Sequence, residues 1–102
     1  MTGVLLLFWK LAYNVAMPQI CHFFGVVIYM YFNDHAPPHF HAEYGEHEAV
    51  YIIETLEIMR GRLPRRAHSM VVEWASLHRD ELRQNWNLAM HMRPLFRIEP
   101  LE

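Results

Sequence analysis

Asn33-Asp34-His35-Ala36-Pro37-Pro38-His39-Phe40-His41 gathers three imidazoles, a carboxylate and an amide around a stiff Pro-Pro step. If the chain is extended from His39 onward, His39 and His41 project from one face about 6 to 7 Å apart and can address one bound ion or phosphate. Neutral imidazole suits zinc, nickel, copper or iron, and the adjoining loop offers His35 or Asp34 as a third ligand. The candidate ligands of a divalent transition metal are therefore His35, His39 and His41, with Asp34 as the loop alternative. Glu43 lies roughly 13 Å along the strand from His39 and cannot serve both rings well. Without a metal, His39 and His41 form a candidate general acid and base, provided their surroundings separate their pKa values. A plainer reading stands beside these: solvated histidines on the outer face of a sheet, next to an ordinary Asn-Asp-Pro-Pro turn.

The elements that must position this motif are legible from periodicity. Ile20 to Phe24 and Val26 to Phe32 are aromatic and β-branched, and Gly25 between them suits a bulge or a tight turn. Val26, Ile28, Met30 and Phe32 share one face, which reads as core; Val27, Tyr29, Tyr31 and Asn33 share the other. After the proline turn, Phe40, Ala42 and Tyr44 alternate with His39, His41 and Glu43. Gly45-Glu46 predicts a hairpin into Glu48 to Ile53, and residues 54–57 turn again before Ile58 to Arg60. Pro64 then suits the first position of a helix. Ala67, Met70, Val71, Trp74 and Leu77 form its apolar stripe. The phase slips at His78-Arg79-Asp80-Glu81, so a second helix carries Leu82, Trp86 and Ala89 and ends before Pro94. Leu95 to Leu101 is expected as an edge segment. The predicted fold is α+β: an antiparallel meander of three to four strands, followed by two C-terminal helices packed on one face.

These elements place Tyr29, Tyr31 and Asn33 on the same outer surface as His39 and His41. Exposed tyrosines there would stack on bases; the alternative is that the C-terminal tail or a partner chain covers them. Arg60, Arg62, Arg65 and Arg66 fall within seven residues, after a span from Lys10 to Arg60 that holds no other lysine or arginine but has Asp34, Glu43, Glu46, Glu48, Glu54 and Glu57. Arginines at a helix N-terminus oppose its dipole, by up to about 1 kcal/mol each. They are candidate binding residues for phosphate or for a partner's carboxylates. The competing assignment pairs them with Glu54 and Glu57.

Length and composition set the outer limits. With 102 residues, 53% of them apolar, the chain is one globular domain. The single Cys21 excludes an internal disulfide or thiolate zinc cluster and fits a reducing cytoplasm. Val4 to Trp9 and Leu11 to Ala16 are interrupted by Lys10, well short of the roughly 20 apolar residues of a membrane span, and no positive charge precedes them as in a secretory signal. No membrane association is expected. Met17-Pro18 reads as a natural start, so residues 1–16 are expected as an N-terminal extension outside a single domain at 17–102.

The Phe24-Gly25 corner, Ile28-Tyr29-Met30-Tyr31, the Asn33 to His41 motif, Tyr44-Gly45, Glu48-Ala49, Leu63-Pro64, Glu73-Trp74, the Leu77-His78 to Leu82 junction and Asn85-Trp86 together carry a resemblance. From Met17 almost to Glu102 the chain resembles small bacterial proteins grouped as a domain of unknown function, DUF4160. That resemblance implies a small protein often encoded beside another short reading frame, as in toxin–antitoxin pairs. It transfers no catalytic role. Val27 and Ile52 depart from the polar residues expected at outward strand positions and favour a covered surface.

Two functions of different class follow. In the favoured one the protein is a partner-binding module of a two-gene, toxin–antitoxin-like operon, its partner a small protein encoded nearby or a second copy, and its histidines hold a metal or line the interface. In the other it is an RNA-acting, nuclease-like toxin with His39 and His41 as acid and base and an arginine holding phosphate. The overall charge of -2 and the apolar outward positions fit avid nucleic-acid binding poorly.

Overall fold

The computed structural model describes residues 17–102. The expected extension at residues 1–16 lies outside the described residues. Five strands, β1 (Gln19–Phe23), β2 (Val26–Tyr29), β3 (His39–Tyr44), β4 (His47–Ile52) and β5 (Ile58–Arg62), are followed by helices α1 (Arg65–Leu77) and α2 (Arg79–Met90). The strands form one antiparallel sheet in the order β1-β2-β3-β4-β5. The meander thus has five strands rather than three or four, because the short outer segments at Ile20 and Ile58 both find a neighbour. Among the described residues no helix is long and apolar enough to cross a membrane.

Turn chemistry sets the register. Phe23 pairs with Val26, which leaves Phe24-Gly25 as a two-residue connection. Both of its residues have positive φ, 46° and 83°, as in the primed turn whose twist matches antiparallel strands. Gly25 is therefore a tight turn and not a bulge. Gly45-Glu46 closes the Tyr44–His47 pair in the same way, with glycine leading at φ 59°. Gly61, at φ 73°, is fixed by a close approach: a Cβ there would lie 2.2 Å from the Glu48 carbonyl oxygen across the β4–β5 ladder.

One sheet face carries the core. Val26, Ile28, Met30, Phe40, Ala42 and Tyr51 are fully buried on it. Helix α1 lays Ala67, Val71, Trp74 and Ala75 against that face. The Trp74 ring lies 5.5 Å from Phe23 and 6.0 Å from Phe40, and Phe40 stacks on Tyr51 at 5.3 Å. Removing a buried indole of this kind costs about 3–5 kcal/mol. Helix α1 stops at Leu77 and α2 starts at Arg79, with Asp80 and Glu81 in its first turn, where carboxylates favour the dipole. The phase slip in the apolar stripe is this junction.

The C-terminal segment is not a strand, yet it closes the β1 edge. The Ile98 N–H donates to the Ile20 carbonyl (2.8 Å), and the Trp74 indole N–H donates to the Glu99 carbonyl (2.8 Å). The fully buried Asn85 amide donates to the Phe96 carbonyl and accepts from the Phe96 N–H, at 2.9 and 3.0 Å. These bonds supply partners that a buried polar amide requires.

Two outcomes follow from this packing. Phe24 is 61% exposed and sits in the left-handed region, which costs a bulky residue about 1–2 kcal/mol. Phe24→Asn is expected to raise stability by about 1 kcal/mol in urea denaturation. Tyr51 is fully buried, and burial pushes its hydroxyl from 10.0 up to about 12. Its contribution is fully present below the unfolded value and is lost as pH rises through the folded one. Wild-type stability should fall by on the order of 2 kcal/mol between those values. In Tyr51→Phe, measured across the same alkaline range, that component should be missing.

Candidate metal centre

The site starts from the reversal between β2 and β3. Asn33 takes a positive φ of 53°, and its backbone N–H donates to the Ala89 carbonyl at 3.1 Å, tying the turn to the end of α2. At the far side the Ile53 N–H donates to the Pro38 carbonyl at 3.0 Å. Held at both ends, the loop turns Asp34 back over the first residues of β3. The Asp34 Oδ1 accepts the His35 backbone N–H at 2.8 Å, which leaves Oδ2 to face the strand.

Oδ2 meets two imidazoles. It lies 2.8 Å from His39 Nε2 and 3.5 Å from His41 Nε2. Behind the rings, His39 Nδ1 faces the Pro37 carbonyl at 2.7 Å, and His41 Nδ1 faces the Glu48 Oε1 at 3.5 Å. Each of the four ring nitrogens is therefore aimed at an oxygen. The Pro37 carbonyl only accepts, so His39 Nδ1 carries the hydrogen. In a neutral ring, His39 Nε2 would then turn a lone pair toward carboxylate Oδ2 at 2.8 Å. That contact requires a positive species between the atoms, either a second proton or a cation. His41 repeats the pattern more loosely: among the described residues neither of its nitrogens has a partner at hydrogen-bond distance.

One ligand atom from each of Asp34, His39 and His41 lies within 4.8 Å of the other two. Metal bonds of about 2.0–2.1 Å in tetrahedral array would space such atoms roughly 3.3 Å apart. The 2.8 and 3.5 Å contacts bracket that spacing. At His39 the Pro37 carbonyl behind Nδ1 reproduces the arrangement in which a ligating histidine donates its other N–H to a carbonyl or carboxylate, and Glu48 stands behind the His41 Nδ1 at a longer 3.5 Å. The donor set thus fits a divalent transition metal.

The surroundings are aromatic and dry. His39 and His41 are only 3% and 2% exposed. The His41 ring stacks on Tyr29 at 5.0 Å and meets the edge of Tyr31 at 4.8 Å, while His39 packs against the Trp86 indole at 5.0 Å. Burial lowers the His41 pKa, and the nearby Asp34 and Glu48 carboxylates only partly oppose it. For Asp34, burial pushes upward but is outweighed by the His35 N–H and the two imidazoles, so its carboxyl stays below the ordinary value. Burial, then Glu48, raises the Tyr29 hydroxyl well above its usual range.

Several expectations change. The histidines are on the predicted face, but that face is covered and not solvated. The carboxylate that joins them is Asp34; the His35 side chain stays exposed and outside the cluster. Tyr29 and Tyr31 do lie beside the histidines, yet Tyr29 is 2% exposed with its ring against His41, so it offers no platform to a base. Asn33 contributes through its backbone. The competing pairing of the arginine cluster with Glu54 and Glu57 does not form among the described residues: Glu54 is held by Arg83 at 2.6 and 3.0 Å, and Glu57 forms no ion pair with the cluster. Arg60, Arg62, Arg65 and Arg66 are exposed on β5 and the first turn of α1, outside the histidine cluster. Glu48 and Trp86 escaped the sequence reading. Glu48 could have been found from the register, because a hairpin at Gly45-Glu46 places it opposite Glu43 and two residues from Val50, the partner of His41, hence on the same face.

The family model described as a domain of unknown function (DUF4160) matches residues 25–87, well over half of the chain, which therefore belongs to that family. No curated protein and no solved structure matches it.

The lowered Asp34 value has a measurable sign. Ionised Asp34 stabilises the fold above the unfolded value of 3.8, and this is lost as pH falls through the folded value. In chelator-treated protein at neutral pH, Asp34→Asn should lose on the order of 1 kcal/mol in urea denaturation. The gap to wild type should narrow in acid; a gap independent of pH would contradict the ionic account.

Proposed function

We propose that this DUF4160 protein is a partner-binding module of a two-gene, toxin–antitoxin-like pair, built on a divalent transition metal held by Asp34, His39 and His41. One observation carries the metal assignment: two buried imidazoles turn their Nε2 atoms to a single carboxylate oxygen while their Nδ1 atoms face oxygens of their own. A cation at the convergence satisfies both rings and Asp34 together. Zinc, nickel, cobalt and iron suit this mixture of imidazole and carboxylate. Such an ion would supply Lewis acidity and an open position for a ligand. The chain's own part is to fix the His39 tautomer through the Pro37 carbonyl, to set the Glu48 carboxylate behind His41, and to exclude water with Tyr29 and Trp86. The one cysteine, buried and free, accords with a cytoplasmic setting.

The same residues suit an RNA-cutting toxin less well. An acid–base pair needs each ring to reach the proton that it moves. Here both rings are buried, and both are directed at one carboxylate.

Elemental analysis and calorimetric titration of chelator-treated protein with zinc and cobalt test the metal. One ion per chain is expected, and a metal concentration about 100-fold above Kd should add about 2.7 kcal/mol of stability. Asp34→Ala and His41→Ala should abolish stoichiometric uptake, and Glu48→Gln should weaken it by about 10- to 100-fold. Failure of the wild-type protein to take up any transition metal would leave the cluster as a proton-sharing hydrogen-bond network and overturn the assignment.

A further inference from the structure

A second polar site lies away from the histidine cluster, where β5 passes into α1. A groove of about 460 Å³ opens there over Ile58, Leu63 and Pro64, with Arg62 and Arg65 on its rim and His47 and His68 at its sides. Arg60 and Arg66 flank it in sequence. All four guanidinium groups are exposed, and among the described residues none has a carboxylate partner.

That isolation is specific. Two acids near the cluster are committed elsewhere: Glu48, the register partner of Arg62, is turned to His41, and Glu54 is held by Arg83, while among the described residues Glu57 forms no ion pair with any of the four. Four like charges within seven residues, without counter-charge, repel one another. An external anion removes that repulsion.

We infer that this groove docks an extended acidic segment of a partner protein, its carboxylates on Arg62 and Arg65 and an apolar side chain over Ile58 and Leu63. The inference rests on the partner-binding reading above and is independent of whether a metal is held. Three features choose this occupant. The apolar floor asks for hydrocarbon between the charges, which a peptide offers. Among the described residues no tyrosine, phenylalanine or tryptophan lines the groove, which leaves a base only the smaller imidazoles of His47 and His68 to stack on. A second copy pairing through β5 would bring arginine against arginine.

Docking uses side chains, not strand addition. Although β5 is the outer strand, its ladder is irregular between Val50 and Tyr51, where the partners step from Arg60 to Ile58, and Gly61 leaves extended geometry at φ 73°. Such a strand is a poor template for a further one.

The test uses a fluorescein-labelled peptide alternating glutamate and leucine, with a lysine–leucine peptide and single-stranded oligothymidylate as comparison arms, all by fluorescence anisotropy on the full chain. Saturable binding of the acidic peptide alone is expected. It should weaken by at least about tenfold in Arg62→Glu/Arg65→Glu, and less in Arg62→Ala/Arg65→Ala. Both pairs are exposed, and circular dichroism checks that the variants fold. No saturable acidic-peptide binding, binding unchanged by charge reversal, or tighter binding of oligothymidylate each overturns the inference. Zinc titration of the same variants separates the two sites. Loss of peptide binding with zinc uptake intact is the docking result; a wild type that binds peptide but takes up no metal overturns only the metal centre.

Discussion

Two imidazoles beneath a carboxylate, shut away from water, form the contact on which the site side of this fold depends. Buried polar nitrogens destabilise a protein unless each is matched. Here His39 is matched on both sides, by the Pro37 carbonyl and by Asp34, while the His41 nitrogens only face Asp34 and Glu48 at 3.5 Å. This matching dictates that the loop after β2 fold back over β3. It also dictates that the end of α2 lie close enough for Ala89 to accept the Asn33 N–H and for Trp86 to meet His39. The two sheet faces thereby differ in kind. One is a hydrocarbon core closed by Trp74; the other is a small aromatic and ionic cluster closed largely by the chain's own turn.

Much of the fold was legible because period and turn chemistry agree. The alternation through Phe40, Ala42 and Tyr44, the glycines at both hairpins, Pro64 before α1 and the phase slip at His78 each state a local preference that the tertiary structure keeps. The site was legible only in part. Spacing put His39 and His41 on one face, and the loop supplied Asp34. No periodicity could show that this face would be covered, since burial of an outward-facing ring depends on where a loop and a distant helix settle. For the same reason Glu48 and Trp86 were missed: their roles arise from strand register and helix position, which are long-range facts. Arg60 to Arg66 illustrate the converse error. Nearness in sequence suggested Glu54 as a partner, but Glu54 reaches across to Arg83 on α2.

The two sheet edges are treated differently. The β1 edge is closed by the terminal segment, whose position is set by bonds from Ile98, Trp74 and Asn85. Among the described residues the β5 edge has no such cover, and it is made irregular by its shifted register and Gly61. Open strands invite unwanted pairing, and charge with irregularity is a common way to blunt them. The arginines there accordingly have two compatible consequences, discouraging sheet-to-sheet association and leaving positive charge accessible along one side of a chain that is acidic overall.

Asp34, His39 and His41 fall within eight consecutive residues. Bringing them together closes a very short loop, so the entropy of assembling the cluster is small compared with that of joining the helices to the sheet. A contact set this local can form while the remainder of the polypeptide is still unorganised, and would favour rapid alignment of β2 against β3. Whatever positive species the cluster captures, proton or ion, is thereby in a position to influence the speed at which the molecule reaches its native state.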